Sequence, residues 1–208
     1  MPDFLVTGAD GRPRCGWCAS APDYAAYHDR EWGRPVVDEV RLLEKLCLEG
    51  FQSGLSWLTI LRKREAFRKG FSGFDPAKVA RFGASDVTRL LRDASIVRHR
   101  GKIEATIANA RAYRSVVDAD GSLARLVWRY EPDPDTRPRK LTSAALRALT
   151  QTPESKALSK ALKAHGFKFV GPTTVYAFMQ AMGLVNDHLD GCAVREEVER
   201  ARGRFRRP

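Results

Sequence analysis

Residues 95–113 read SIVRHRGKIEATIANARAY, and this stretch decides the fold. Ile103, Ile107, Ala110 and Tyr113 recur at steps of four and three, the spacing of one face of an α-helix. Just ahead of that apolar stripe stand Arg98, His99, Arg100 and Lys102, crowded into a short turn that joins two helices. The first turn of a helix leaves its amide N–H groups without partners, so such a start beside several cations is suited to hold a phosphate.

Working outward, the same periodicity returns in Val40, Leu43, Leu46 and Cys47, and again in Trp57, Ile60 and Leu61. Helix starts are marked by Asp38 and Ser85 as N-caps, by Asp75-Pro76 as cap plus first-turn proline, and by Pro153-Glu154 and Pro172. Gly166 and Gly183 read as helix stops. No sustained alternation of apolar and polar residues appears, so the expected class is all-α, with eight or more short helices and no internal repeat. EPDPDTRPRK, residues 131–140, is rich in proline and charge and reads as a loop or hinge. Residues 1–12 are expected to form a flexible leader and 13–193 a single all-α domain. Residues 194–208, with six arginines against three glutamates, are expected to form a frayed helix or basic arm.

Composition narrows the class. With 208 residues and 43% hydrophobic content the chain can build its own core. MPDFLVTGAD has neither the basic nor the apolar region of a signal peptide, and no later apolar run approaches the roughly 18 residues of a membrane span. A soluble, cytoplasmic protein with no membrane partner is expected. Lys and Arg number 36 against 25 Asp and Glu, a net charge of +11 that favours a polyanionic partner such as nucleic acid.

Four cysteines, Cys15, Cys18, Cys47 and Cys192, are too few for a disulfide framework in a chain of this size. RCGWC, residues 14–18, offers a C-x-x-C that can be half of a zinc site, a redox pair or no chemical site at all. The redox reading weakens because no βαβ pattern surrounds it. His28 follows Cys15 by 13 positions, and His188 and Cys192 stand four apart far downstream, so each end of the chain offers one His and one Cys. That mixture suits tetrahedral zinc, and a site drawn from both ends would staple them together, although an isolated His-x-x-x-Cys is a common coincidence. Cys47 reads as a core cysteine.

Aromatic residues cluster around the first pair: Trp17, Tyr24, Tyr27 and Trp32, with Trp57 following LEGFQSGLSW. Such rings are either core or a surface on which a flipped base can stack. Glu49 stands between Leu48 and Gly50 in an apolar run, where an unpaired carboxylate is expensive to bury. It is either functional or turned to solvent at a helix end. Leu55 follows the flexible Gly54 and is either a core residue or an apolar wedge for a base step.

Taken in order, RCGW, DYAAYHDREWG, CLEG, GLSW, RHRGKI, NARAY, LSKALKAHGFKFVG and GLVNDH with Cys192 closely resemble the bacterial 3-methyladenine DNA glycosylase I family, from Arg14 to Cys192. The resemblance implies a helix-hairpin-helix DNA glycosylase fold with one structural zinc held by Cys15, His28, His188 and Cys192, leaving Cys18 aside. It implies a base pocket of Trp17, Tyr24, Tyr27 and Trp57 read by Glu49 as the catalytic carboxylate. Gly54 and Leu55 become the DNA wedge, and Arg98, His99, Arg100, Gly101 and Lys102 the phosphate-gripping hairpin. The implied reaction is monofunctional hydrolysis of the glycosidic bond of 3-methyladenine in alkylated double-stranded DNA, with the free base as product and a monomeric enzyme. The leader, residues 131–140 and the tail after Cys192 depart from the family pattern. A noncatalytic reader of alkylated DNA and a zinc-stapled RNA-binding module are the rival readings, and release of free base separates the first reading from both.

Overall fold

The computed structural model describes residues 4–138 and 140–208; residues 1–3 of the expected leader and Arg139 of the 131–140 stretch lie outside them. Eleven α-helices carry most of the described chain: α1 Pro22–Arg30, α2 Glu39–Gln52, α3 Trp57–Gly70, α4 Pro76–Val79, α5 Ala84–Arg92, α6 Arg100–Asp120, α7 Leu123–Trp128, α8 Ser143–Ala148, α9 Pro153–Ala164, α10 Pro172–Ala181 and α11 Arg195–Arg204. The periodicity at Ile103, Ile107 and Ala110 becomes the buried face of α6, the longest of them.

Helix starts follow local chemistry. Asp38 accepts from the Arg41 amide, Ser56 from Thr59, Asp75 from Ala77 and Lys78, and Thr152 from Ser155. Pro76, Pro153 and Pro172 occupy first-turn positions where no backbone N–H is needed. Helix α5 departs from expectation. It starts after Gly83, whose amide is bound by Asp86, so Ser85 lies inside the first turn and is not the cap. Gly166 and Gly183 take left-handed φ angles of 100° and 81° after α9 and α10, as their reading as stops requires.

Helix α2 is the hub, packed against α3, α6, α7 and α10. Its ten residues from Leu42 to Phe51 are all buried. A helix covered on every side must be apolar or must pair its charges internally, and Glu44, Lys45 and Glu49 lie inside that run. Among the described residues no helix is long and apolar enough to cross a membrane.

Within the expected leader and tail, the described residues carry regular structure. Leu5–Thr7 (β1) pairs antiparallel with Pro13–Cys15 (β2), Leu5 opposite Cys15, in a two-stranded hairpin. Arg14 fastens it by holding Asp10 at 2.6 Å and Asp29 at 2.8 Å. Three-residue strands are too short to leave an alternating pattern, so an all-α reading misses them. At the other end α11 is docked rather than free. Val194 and Val198 are buried, Arg202 donates to the Gly183 carbonyl, and Arg202 and Arg207 both pair with Glu131. Its arginines are thus partly neutralised inside the protein. The 131–140 loop is anchored in turn by Arg137, which pairs with buried Asp187 and donates to the Tyr176 hydroxyl at 3.0 Å.

Candidate functional site

Where β2 and α1 meet the segment after α10, Cys15, His28, His188 and Cys192 converge, all buried, with one ligand atom of each lying within 4.8 Å of the others. His28 Nε2 lies 3.1 Å from His188 Nδ1 and 3.5 Å from Cys192 Sγ; His188 Nδ1 lies 3.6 Å from Cys192 Sγ and 4.0 Å from Cys15 Sγ. A tetrahedral zinc with its usual bond lengths separates its ligands by roughly 3.3–3.8 Å, so His28, His188 and Cys192 stand close to that spacing while Cys15 stands wider and would close in on an ion.

The surroundings orient each ligand. His28 Nδ1 faces Asp29 Oδ1 at 2.8 Å and His188 Nε2 faces the Trp32 carbonyl at 3.1 Å, which assigns each ring a proton on its outer nitrogen and leaves the inner one to coordinate. The Leu189 amide donates to Cys15 Sγ at 3.3 Å. A hydrogen bond from the Cys15 thiol holds Cys192 far below the ordinary thiol range, toward the thiolate that a metal ion would need. Cys18 is not in the cluster; its thiol donates to the Cys15 carbonyl at 3.1 Å. Cys47 is a buried core residue of α2.

Trp17 and Trp32 carry the structure from the cluster to a neighbouring cavity. Trp17 meets Tyr24, His28 and Trp32 edge-on with centroids about 5 Å apart. The cavity, of about 310 Å³, is lined by Trp17, Tyr24, Tyr27, Trp57 and Glu49, so all five expected pocket residues are brought together. Its volume lies at the small end of ligand pockets. Trp57 Nε1 is buried without a hydrogen-bond partner among the described residues, a donor left for an occupant. Burial raises Tyr24 to about 12 and lifts Tyr27 well above the usual phenol value, so both present neutral hydroxyls.

Glu49 is 5% exposed and its Oε1 lies 2.8 Å from Lys45 Nζ, one helical turn earlier on α2. Lys45 also donates to the Tyr27 hydroxyl at 2.9 Å and sits 3.1 Å from the centroid of the Trp57 ring. Lys45 is the principal site residue that sequence reasoning misses. The signal was present, because a Lys four residues before a Glu in a helix is an ion-pair spacing. Gln52, Ser143, Arg147 and Gln180 add polar side chains to the lining from α2, α8 and α10.

Beyond the end of α2, Gly54 takes φ +82°, a left-handed conformation that suits glycine, and a Cβ there would meet open space. Leu55 projects from the same turn and is 42% exposed, an apolar tip rather than a core residue. In the turn before α6, Arg98 and Arg100 are exposed, as a phosphate grip requires, and Arg100 has Glu104 as a neighbour at 3.3 Å. His99 instead caps α6, accepting from the Lys102 amide at 3.2 Å, beside Gly101 in the first turn. Lys102 corrects the expectation of a phosphate contact. Its side chain is buried, and Nζ donates to the carbonyls of Phe51 at 2.8 Å and Ser53 at 2.6 Å, groups that α2 leaves unpaired at its end.

With this geometry in place, comparisons with known proteins converge. The model of the methyladenine glycosylase family matches residues 17–196. DNA-3-methyladenine glycosylase 1 of Escherichia coli (strain K12) is 52% identical over 180 residues, 86% of this chain and 95% of its own length. A solved 3-methyladenine DNA glycosylase I from Staphylococcus aureus superposes with a TM-score of 0.81 at 38% identity, covering 88% of this chain and 96% of its own. A tyrosine-to-phenylalanine variant of a 3-methyladenine DNA glycosylase I, solved in complex with 3-methyladenine, gives 0.80 at 38% identity, covering 88% and 97%.

Proposed function

Because the chain belongs to the methyladenine glycosylase family, hydrolases of N-glycosyl bonds, we propose that it excises 3-methyladenine from alkylated duplex DNA by flipping the nucleotide into the aromatic cavity and reading the base with Glu49. The observation that carries this reading is the buried carboxylate of Glu49 in the lining of a cavity shared with Trp17, Tyr24, Tyr27 and Trp57.

Methylation at N3 makes adenine a cationic leaving group, so the protein has to extrude, stack and recognise the base rather than activate it strongly. Aromatic faces stack it and attract its charge, a contact worth about 2 kcal/mol when desolvated. Adenine presents an amino donor where guanine presents a carbonyl acceptor, so a carboxylate accepts from the first and repels the second. Leu55, at the tip of the turn after α2, fills the gap left by the extruded nucleotide, and Arg98 and Arg100 hold the phosphate backbone. We read the Cys15, His28, His188 and Cys192 cluster as a structural zinc site. Four protein ligands leave no position for water, so the ion would staple the two ends of the chain behind the pocket and take no part in the reaction.

The test is chromatography of the bases liberated when purified protein meets methylated duplex DNA. Release of free 3-methyladenine supports the proposal. Tight binding without release would return the chain to a noncatalytic reader.

A further inference from the structure

Lys45 and Arg147 line the cavity beside Glu49, and Lys45, which pairs with that carboxylate, is a charge that recognition by Glu49 does not call for. Lys45 is 5% exposed. Its Nζ engages Glu49 Oε1 at 2.8 Å, the Tyr27 hydroxyl at 2.9 Å and the π-face of Trp57 at 3.1 Å from the centroid. A carboxylate and an indole face are two of the groups that would otherwise draw a cationic base into this cavity. Both are already engaged by a cation of the protein's own. Nearby charges do not restore the balance, because Glu31 is paired with Arg64 at 2.6 Å and Glu44 with Arg68 at 2.8 Å. The Lys45 and Glu49 pair sums to zero, and Arg147 also lines the cavity, so loss of the Lys45 ammonium makes the pocket one charge more negative than it is in the wild type.

We propose that Lys45 is a positioning and specificity residue of the base pocket: it fixes Glu49 through Oε1, leaves the other oxygen to accept from the base, and cancels the pocket's pull on positive charge. The inference rests on the reading of Glu49 as the base-reading carboxylate. Its consequence follows from the charge flow of the reaction. The N3-methylated purine is cationic while attached to the sugar. When the C1′–N9 bond breaks, its electron pair goes to N9 and the base leaves neutral. The sugar takes up the positive charge and is captured by water, whose proton passes to solvent. A negative pocket would hold the cationic bound state more tightly than the neutral leaving base and so raise the barrier; the ammonium removes that ground-state trap. Burial depresses Lys45 to about 8, with Glu49 pulling it back up, so the ammonium remains the main form at neutral pH.

The experiment uses the full chain and two probes, neutral 3-methyladenine and the cation 3,9-dimethyladeninium, titrated into wild type, K45M and K45R. K45M keeps the volume and removes the charge. The expected result is a preference for the cation over the neutral base that rises at least about tenfold in K45M, a slower single-turnover release from methylated duplex, and a wild-type ratio in K45R. Equal shifts on both probes in K45M, no shift at all, or a K45R ratio that follows K45M would overturn the proposal. Should K45M not melt cooperatively, K45Q carries the same comparison. E49Q run in parallel separates the two readings. If it leaves both affinities unchanged, the Glu49 reading fails; if it weakens binding while K45M leaves the ratio alone, only the Lys45 inference fails.

Discussion

Glu49→Gln should separate base reading from folding, and the structure sets the size of both effects. On the substrate side the change exchanges a charged acceptor for a neutral one. A hydrogen bond to a charged group contributes about 1.5–3 kcal/mol, so release of 3-methyladenine should slow about 10- to 150-fold. On the protein side it removes the partner of buried Lys45. Breaking a buried pair costs about 3–5 kcal/mol when the remaining group must stay charged. Lys45 need not, because burial already depresses it to about 8 and Glu49 is the chief pull in the opposite direction. In the variant it sheds its proton at neutral pH, which limits the loss to about 1–3 kcal/mol and a fall in melting temperature of about 2–10 °C. The sign with pH follows. A lysine whose folded value lies below its unfolded one destabilises the fold at any pH below the unfolded value. Above about 8 it is neutral in both folded proteins, so the deficit of the variant relative to wild type should shrink as pH rises through about 8. Single-turnover release from methylated duplex, with melting curves at pH 7 and 9, measures both. Undiminished release by a cooperatively melting variant would remove Glu49 from the mechanism.

Metal analysis of purified protein should find about one zinc per chain. Cys15→Ser should lose it and Cys18→Ser keep it, because Cys18 is not one of the four converging ligands and its thiol donates to the Cys15 carbonyl. Leu55→Ala should slow excision from duplex more than from single strands, since only the duplex imposes an unstacking cost of a few kcal/mol; equal losses would return Leu55 to a structural role. Arg98→Ala should lower the log–log salt slope of DNA binding by about one unit. Lys102→Met should leave that slope alone and lower the melting temperature, because its ammonium serves two carbonyls of the protein; a lowered slope would place Lys102 on the DNA.

What the sequence made legible depended on how local the signal was. The α6 stripe of Ile103, Ile107 and Ala110, the Asp38 and Asp75 caps and the glycine stops at Gly166 and Gly183 are set by neighbours within one or two turns. The cluster was legible in residue types, but joining Cys15 to Cys192 across the chain rested on resemblance, since spacing alone does not show that the ends meet. Lys45 does not stand out in the sequence because a lysine four residues before a glutamate usually marks a solvated helix face, and only the packing of α2 on every side turns that pair inward. Lys102 shows the opposite case. A cation in a basic turn reads as a phosphate contact, and its true acceptors, the Phe51 and Ser53 carbonyls, are about fifty residues away in sequence.

Those two lysines explain why recognition and insertion can act together. Helix α2 carries Glu49 in its last turn and ends at Gln52, so the base reader lies six residues before Leu55 on one continuous piece of backbone. The end of a helix is its weakest part, because its last carbonyls lack intrahelical partners. Here Lys102 supplies donors to two of them from the helix that follows the Arg98–Arg100 turn, and Lys45 holds Glu49 from within. Gly54 then turns the chain through a left-handed residue and Leu55 emerges at the surface. Under the proposed function, the residues read as phosphate grip, wedge and base reader are thereby tied to one helix end, so a duplex seated on Arg98 and Arg100 would meet Leu55 at a fixed offset from the carboxylate. On this reasoning Lys102→Met should impair excision more than it impairs binding of undamaged DNA, because it loosens the register between wedge and pocket without removing a phosphate contact.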